Sequence, residues 1–431
     1  MTAFDPHDRA GPADALPATP DRPVEELVVT PADDVSPTLS IVLPTKNEAA
    51  GIGECLDRIE RAIATLGVPT EIIVSDSSTD RTPEIARAHG ATVVMPDRPG
   101  YGAAYQRAFE AARGEFIVIG DADTTYDFAA IPRLVEHLVA TDADLVLGSR
   151  LAGEIEPGAM PWLHRYVGNP LLTRFLNTFY GTEVSDAHSG FRVVTRAALE
   201  TLELTTDGME FASEMIMEAG ARGLTIEEVP ITYHEREGEA TLESFRDGWR
   251  HVRFMLTNAP GYLFSVPGLG LGVLGLVLMG LVAAGTPVGG VTLGVRSMIA
   301  GGVLVLVGYQ IMSFAVFSTV ATDPIQRPSD PLTRWLNRAL TIRRGGVGGC
   351  VVFAGGSLYA LALLYRWLTA GYATLPVVTS DIAALVAIAF GVQTVFTSFL
   401  AAMLRESRLA RTRANARSAA GTDGHDPAAG D

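Results

Sequence analysis

Two aspartates close behind an apolar run are the residues of this chain best suited to chemistry. The run Phe116–Ile119 predicts a buried strand, and Asp121 and Asp123 follow it two residues apart. In open α/β sheets, ligands bind beyond the carboxyl ends of the strands. Two carboxylates there suit a hard divalent cation, Mg²⁺ or Mn²⁺, whose coordination is completed by substrate phosphates. A plain Asp-rich turn is the alternative, and the spacing alone leaves both interpretations open.

Strands that alternate with helices surround these aspartates. The predicted strands are 39–43, 71–75, 91–95, 115–119 and 143–148, and the predicted helices are 48–66, 79–89, 101–112 and 131–140. Such alternation indicates βαβ units and a mostly parallel sheet, so the predicted class is α/β. Asp76 ends the second strand, where its carboxylate could accept hydrogen bonds from a nucleobase or a ribose. An ordinary helix-entry turn is the alternative for Asp76.

Charge is distributed unevenly along the 431 residues. Residues 1–260 hold 21 bases and 42 acids, a net charge of −21, whereas residues 261–431 hold 12 bases and 7 acids, a net charge of +5. An acidic domain argues against a nucleic-acid partner, which needs a basic surface. Lys46 is the only lysine among 33 basic residues. Acidity combined with Arg in place of Lys is typical of a salt-adapted, haloarchaeal-type surface.

The second half carries four apolar stretches, each near the roughly 20 residues that cross a bilayer. They are 262–285, 297–320, 347–370 and 382–404. The loop 321–346 and the stretch that follows residue 404 are rich in Arg. By the positive-inside rule, both termini and the first half of the chain are predicted to be cytoplasmic.

The composition predicts five segments. They are a disordered N-terminal tail (1–38), an α/β domain (39–240), an interfacial amphipathic helix (241–260), an all-α transmembrane domain of about four helices (261–405) and a basic, then disordered, cytoplasmic tail (406–431). Trp249, Val252 and Leu256 share one face of the amphipathic helix, which favours a position in the membrane interface. Ordinary packing against the α/β domain is the alternative.

Six motifs in order carry a resemblance that covers residues 39–255. They are Ser40–Glu48, Ile73–Thr82, Gly120–Asp123, Gly148–Arg150, Asp186–Arg192 and Glu228–Glu239. The first four resemble the family 2 inverting glycosyltransferases of the GT-A fold, which is a Rossmann-like, mostly parallel sheet. The last two resemble the polyprenyl-phosphate sugar transferases, typified by dolichyl-phosphate mannose synthase. The resemblance implies transfer of a hexose from UDP-glucose or GDP-mannose to dolichyl or polyprenyl phosphate, for protein N-glycosylation or surface-glycan synthesis.

The resemblance also implies site residues on the donor side. Those for the nucleotide sugar are Pro44, Thr45, Glu48, Asp76, Asp121 and Gly102. Gly102 belongs to a glycine-bearing loop whose amides could approach a phosphate, although a simple turn fits equally well. Asp121 and Asp123 are the expected metal ligands, with Asp123 as the first choice. Thr125 stands where relatives often carry Gln, which leaves the third metal contact open.

The acceptor side is implied by the later motifs. Its expected residues are Arg150, Ser189, Arg192, Arg236 and Glu214. Arginine matches phosphate oxygens bidentately, so Arg192 and Arg236 join Asp123 as the expected catalytic residues, and Glu214 is expected to orient Arg192. His188 is interpreted as a structural turn residue. After Gly238-Glu239 the family usually has Ser-Lys, whereas this chain has Ala240-Thr241.

Two other functions remain alternatives. A membrane polysaccharide synthase is disfavoured because the chain lacks a Gln-x-x-Arg-Trp element. A non-catalytic lipid-carrier or assembly module is disfavoured because Asp76, Asp121, Asp123, Arg192 and Arg236 are all present. The oligomeric state and the identity of the sugar stay open.

Overall fold

The computed structural model describes residues 22–236, 244–259, 261–321, 325, 331–370 and 378–422. It divides the chain into two compact units, residues 1–255 and 256–431. The Gly238–Thr241 motif lies outside the described residues, so its predicted acceptor role stays a prediction.

A seven-stranded sheet forms the centre of the first unit. Its strands are β1 (Leu39–Thr45), β2 (Thr70–Asp76), β3 (Thr92–Val94), β4 (Phe116–Ile119), β5 (Leu145–Ile155), β6 (Arg192–Thr195) and β7 (Ile226–Tyr233). Their order is β3-β2-β1-β4-β6-β5-β7. Only β6 runs antiparallel to its neighbours, and all other pairings are parallel. The predicted α/β class with a mostly parallel sheet is therefore confirmed.

Helices flank and connect the strands of the first unit, and the last of them, α9, continues into the second unit. They are α1 (Val24–Leu27), α2 (Ile52–Leu66), α3 (Thr82–Ala88), α4 (Tyr101–Ala111), α5 (Ile131–Thr141), α6 (Asn169–Tyr180), α7 (Arg196–Thr201), α8 (Phe211–Arg222) and α9 (Ser244–Asn258). The amphipathic pattern of α2 shows why they pack. Ile52, Leu56, Ile59 and Ile63 recur at helical spacing and are fully buried in the core against the sheet.

Strand β6 brings a later part of the chain to the end of β4. Arg192 pairs in register with Ile119 of β4 on one side and with Leu147 of β5 on the other. The residues just before Arg192 therefore lie beside Asp121, which follows β4. A hypothetical Cβ on Gly190 would lie 2.9 Å from Asp121 Oδ2 and 3.1 Å from Tyr101 Oη, so this glycine allows a close approach to both side chains.

The second unit is helical. Its helices are α10 (Val266–Ala283), α11 (Val295–Ala321), α12 (Pro331–Ala339), α13 (Val347–Thr369) and α14 (Thr379–Thr422). Four apolar segments are long enough to cross a bilayer: Leu263–Ala283, Val295–Val320, Ile342–Thr369 and Thr379–Ser407. The prediction of four membrane-length apolar helices is confirmed, and the ends of these segments lie within five residues of the predicted ranges.

Glycines let α10 and α11 approach closely. A Cβ on Gly268 would lie 2.7 Å from the Gly308 carbonyl oxygen, and one on Gly275 would lie 2.5 Å from that of Gly301. Small residues are the usual means by which membrane helices pack, because lipid provides no hydrophobic driving force between them.

The two tails differ from the predictions. The predicted tail 1–38 overlaps residues that pack: Leu27 is buried in the core, and the amide of Val29 donates to the Thr70 carbonyl at 2.9 Å. At the other end, α14 continues to Thr422, past the predicted end at 404. Its extension is rich in Ala and Arg, which favour helix.

Candidate active site

The ends of β1 and β2 hold a fixed carboxylate. Thr45 Oγ1 and Ser78 Oγ each donate to Asp76 Oδ1 at 2.6 Å, and the Ser78 amide donates to Oδ2 at 3.2 Å. Asp76 is 6% exposed. A carboxylate held this way at a strand end can accept further hydrogen bonds from a polar ligand. Pro44, the partner of Ser75 in the strand register, lies at the same edge of the sheet.

Asp121 and Asp123 lie together beyond β4. Tyr101 Oη donates to Asp121 Oδ1 at 2.8 Å. Burial and the neighbouring charge of Asp123 raise the pKa of Asp121 to about 7. Asp123 Oδ1 accepts from both the amide of Thr125, at 3.2 Å, and its hydroxyl, at 2.6 Å. Thr125 therefore orients Asp123.

A divalent cation fits this pair. The half-buried Asp121 and the buried Asp123 repel each other and so favour an added positive charge, and their oxygens are the ligands that Mg²⁺ and Mn²⁺ prefer. Another acidic group, Asp57, Glu60 and His89, lies on α2 and just after α3, with ligand atoms within 4.8 Å of one another. There, His89 Nδ1 already pairs with Glu60 at 2.8 Å.

Arg236, just after β7, contacts two acidic side chains, Glu48 and Asp123. Its Nη2 donates to Glu48 Oε1 at 2.7 Å, and its Nη1 lies 3.4 Å from Asp123 Oδ2. Burial raises the pKa of Glu48, although the nearby Arg236 opposes that shift. The structure thus gathers Glu48, Asp123 and Arg236 from three distant parts of the sequence.

Arg150 is held by a buried ion pair. Its Nε and Nη2 donate to the two oxygens of Asp186 at 2.7 and 2.9 Å, and its guanidinium lies 5.2 Å from the Tyr233 ring centre. Burial opposes the charge on Asp186, but the charge and hydrogen bonds of Arg150 outweigh it and lower the pKa of Asp186. Glu228 accepts from the amides of Ser185 and Asp186. Ser185 and Asp186 are therefore held in place by several hydrogen bonds.

Arg192 is fully buried and binds main chain. It donates to the carbonyls of Ser189, Ala187 and Ala212. Among the residues that the structure describes, its Nη1 has no hydrogen-bond partner. Ser189 Oγ donates to the Gly148 carbonyl at 2.6 Å. Hydrogen bonds to Arg192 and to Gly148 thus hold the segment 187–190 in place. The phosphate contact predicted for Arg192 stays a prediction.

Glu214 and Gly102 have partners that the sequence does not reveal. Glu214 accepts from Thr205 and Thr206, so its described hydrogen bonds are with them rather than with Arg192. The Gly102 amide donates to the Asp207 carbonyl at 2.9 Å. A Cβ on Gly102 would lie 2.0 Å from the Thr206 carbonyl oxygen, so this glycine permits a close backbone approach.

Sequence reasoning missed a bridge between two histidines. Ser213 Oγ lies 3.1 Å from His188 Nε2 and 2.9 Å from His251 Nδ1. A hydroxyl has one proton, so it donates to one imidazole and accepts from the other. His188 directly precedes Ser189, and His251 lies on α9. The only sequence signal was that His188 lies inside a family motif.

Comparison with known proteins decides the family. A family model described as glycosyl transferase family 2 matches residues 40–203, and one described as the glycosyltransferase family 2 C-terminal transmembrane region matches residues 318–405. The low-salt glycan biosynthesis hexosyltransferase Agl6 of Haloferax volcanii is 53% identical over 382 residues, which is 89% of this chain and 92% of that protein. The chain belongs to glycosyltransferase family 2. It is a hexosyltransferase of this family and a membrane protein, and the predicted GT-A resemblance is confirmed.

Other relatives are more distant. A dolichyl-phosphate hexose transferase of Haloferax volcanii is 36% identical over 210 residues, 49% of this chain and 89% of that protein. A solved structure of glucosyl-3-phosphoglycerate synthase from Mycobacterium tuberculosis, in complex with Mn²⁺, UDP and glucosyl-3-phosphoglycerate, aligns with a TM-score of 0.42 at 28% identity, over 51% of this chain and 78% of that one.

Removing one partner of the buried ion pair in this family 2 enzyme should cost much stability. We expect Asp186→Ala to destabilise the protein by about 3–5 kcal/mol, because it leaves Arg150 buried without a counter-charge. Thermal unfolding of the detergent-solubilised enzyme measures the change. Glu203→Gln is the matched control, because its ion pair with Arg222 is mostly exposed at Glu203 and should contribute less than about 1 kcal/mol. Equal melting temperatures for both variants would contradict the prediction.

His188 should make stability depend on pH. Burial lowers its pKa to about 3, from the 6.5 of an unperturbed histidine. Between these values the unfolded chain binds a proton that the folded chain does not, so stability is complete above pH 6.5 and falls as the pH drops toward 3. The melting temperature should therefore fall less between pH 7.5 and pH 5 in His188→Gln than in the wild type. His164→Gln, which removes a half-buried histidine outside this bridge, is the control and should retain the wild-type dependence.

Proposed function

We propose that this hexosyltransferase moves a hexose from UDP-glucose or GDP-mannose to dolichyl or polyprenyl phosphate. The position of Arg236 is the observation that carries the proposal. Its guanidinium contacts Glu48 at 2.7 Å and lies 3.4 Å from Asp123, which supports a role for Arg236 between the donor diphosphate and the acceptor phosphate. The 36%-identical relative named as a dolichyl-phosphate hexose transferase supports the acceptor class.

The donor residues hold and orient the nucleotide sugar. Asp76 accepts hydrogen bonds from the base or ribose, and Pro44, Thr45 and Glu48 line the same cleft. Asp121 and Asp123 hold Mg²⁺ or Mn²⁺, which when bound neutralises charge on the leaving nucleoside diphosphate. Because the Gly102 amide already donates to the Asp207 carbonyl, Gly102 is proposed only to shape the loop on the phosphate side of the donor.

The acceptor phosphate is already ionised near neutral pH, so its oxygen needs no general base. That oxygen bonds to the anomeric carbon while the bond from this carbon to the diphosphate oxygen breaks, and the configuration inverts. Catalysis then depends on positioning and on electrostatic stabilisation. Arg236 contacts the acceptor phosphate directly, and Arg192 offers Nη1. Arg150, Ser189 and Glu214 hold the surrounding segments in place.

We also propose that the catalytic unit faces the cytoplasm. The Arg-rich loop 321–346 and the Arg-rich end of α14 support this orientation through the positive-inside rule. The name of the 53%-identical relative, a low-salt glycan biosynthesis hexosyltransferase, supports a role of the product in glycan assembly such as protein N-glycosylation.

Sugar transfer in isolated membranes tests the proposal. Radiolabelled UDP-glucose and GDP-mannose are supplied separately, with dolichyl phosphate and Mg²⁺ or Mn²⁺ in high salt. We expect a lipid-extractable label that mild acid releases, from one donor only, which also identifies the nucleotide. Label in a polymer would favour the polysaccharide synthase, and donor binding without any transfer would favour the non-catalytic carrier.

A further inference from the structure

A cluster of exposed apolar side chains covers one face of the helical segment 162–180. Five of them are more than 40% exposed: Trp162 at 68%, Leu163 at 51%, Tyr166 at 59%, Val167 at 41% and Leu171 at 63%. Elsewhere in the described part of the first unit, the exposed large hydrophobic residues are Val35, Met95 and Trp249. We call these five residues the 162–171 face. Contiguous exposed apolar surface of this kind usually marks a binding surface.

The other face of the same segment is firmly packed. Thr173, Leu176 and Tyr180 are buried. The Ala187 amide donates to Thr173 Oγ1 at 3.2 Å, and Asn177 Nδ2 donates to the Val184 carbonyl at 2.7 Å. The segment therefore presents the 162–171 face on a fixed helix, and that helix directly contacts the 187–190 part of the proposed acceptor site.

Charge around this face differs from that of the rest of the unit. Residues 157–182 contain no Asp or Glu but include Arg165 and Arg174, although residues 1–260 carry 42 acids. The Arg165 guanidinium lies 5.4 Å from the centre of the Tyr166 ring, and the Trp162 and Tyr166 rings are 6.0 Å apart. Tryptophan and tyrosine favour the lipid headgroup level, and arginine attracts anionic lipids.

We propose that the 162–171 face lies in the lipid–water interface of an anionic bilayer, the membrane that the four apolar helices of the same chain cross. Apolar side chains backed by arginine suit this position, because the rings and aliphatic groups enter the acyl boundary while the guanidinium stays among headgroups. The packed side of the helix then holds residues 187–190 close to the bilayer surface, where a lipid-borne acceptor presents its polar end. The proposal rests on the exposed face and its charge, and does not depend on which acceptor is used.

Site-directed labelling of the full-length protein tests this placement. In a Cys350→Ser background, which leaves only the buried Cys55 thiol, single cysteines are placed by Leu163→Cys or Leu171→Cys. Met95→Cys is the matched control, because Met95 is 75% exposed in the same unit and lies outside the segment. Each protein is reconstituted into phosphatidylglycerol vesicles and labelled with an environment-sensitive fluorophore.

We expect spin-labelled lipids with a shallow nitroxide to quench the probes at 163 and 171, and aqueous iodide to quench the probe at 95. A charged maleimide should react about tenfold more slowly at 163 and 171 than at 95. Iodide quenching and fast labelling at all three sites would overturn the proposal. The proposal would also be overturned if labelling at 163 were slow, lipids did not quench the probe, and the labelling rate changed with the protein-to-lipid ratio. That result would show that a second copy of the protein, and not the bilayer, covers the 162–171 face.

Sugar transfer is measured separately on a variant that combines Leu163→Gln, Val167→Gln and Leu171→Gln. We expect the KM for lipid-borne acceptor to rise while donor binding is unchanged. The quenching result does not require transfer, so failure of the proposed reaction would leave lipid quenching at 163 intact. An unchanged KM together with lost lipid quenching would overturn the link between the 162–171 face and acceptor use.

Discussion

Asp123→Asn should lower sugar transfer by about three orders of magnitude, because it removes the charge expected to bind the divalent cation. The substitution keeps the shape of the side chain, and an amide oxygen can still accept from Thr125, so the fold should persist. Transfer of labelled sugar to lipid in isolated membranes measures the effect. Addition of a chelator to the wild-type enzyme should reproduce the loss, and excess Mg²⁺ or Mn²⁺ should reverse it.

A matched carboxylate gives the control for this result. Glu136 is exposed on α5, away from the strand ends that carry the site. Glu136→Gln should therefore leave transfer unchanged. If Asp123→Asn retained activity within about twofold of the wild type, a difference of under half a kcal/mol, the assigned metal role would be wrong.

Arg236→Ala should raise the KM for the lipid phosphate by about 100-fold, since a charge-assisted contact to phosphate is lost. Donor binding should change much less, because Asp76 and the cation site remain in place. Titration with nucleotide sugar and initial rates at varied dolichyl phosphate separate the two quantities. Arg236→Lys should give an intermediate KM, because lysine keeps the charge without the bidentate geometry.

The contacts of Arg236 define what would contradict this assignment. Because its guanidinium also touches Glu48 and Asp123, its loss could disturb the donor side. Equal losses of donor binding and acceptor use would show that Arg236 organises the acids rather than binding the acceptor. Arg87→Ala, which removes an exposed arginine near the end of α3, should change neither quantity.

Much of the fold could be predicted because local patterns determine it. The segments that form β1, β2 and β4 are mostly apolar and are followed by polar residues, a sequence pattern typical of strands in a buried parallel sheet. The four membrane helices follow from length and hydropathy alone. The convergence of Asp76 and Asp121 at one edge also follows, because parallel strands place their carboxyl ends together.

Contacts between residues far apart in sequence were harder to predict. An arginine that binds phosphate and an arginine that binds carbonyl groups are the same residue type, and only folding brought Ala212 to the guanidinium of Arg192. The same holds for Asp186, which neutralises Arg150, and for Ser213, which joins His188 to His251. No periodic pattern connects such positions.

The sequence by itself therefore determined the family, the α/β class, the membrane helices and the residue types available for catalysis, because each depends on local composition or motif order. Only the tertiary structure decided which charge meets which partner and which apolar residues stay exposed. The antiparallel strand β6 shows the physical reason: its insertion between β4 and β5 depends on long-range hydrogen bonding, and it sets Gly190 beside Asp121.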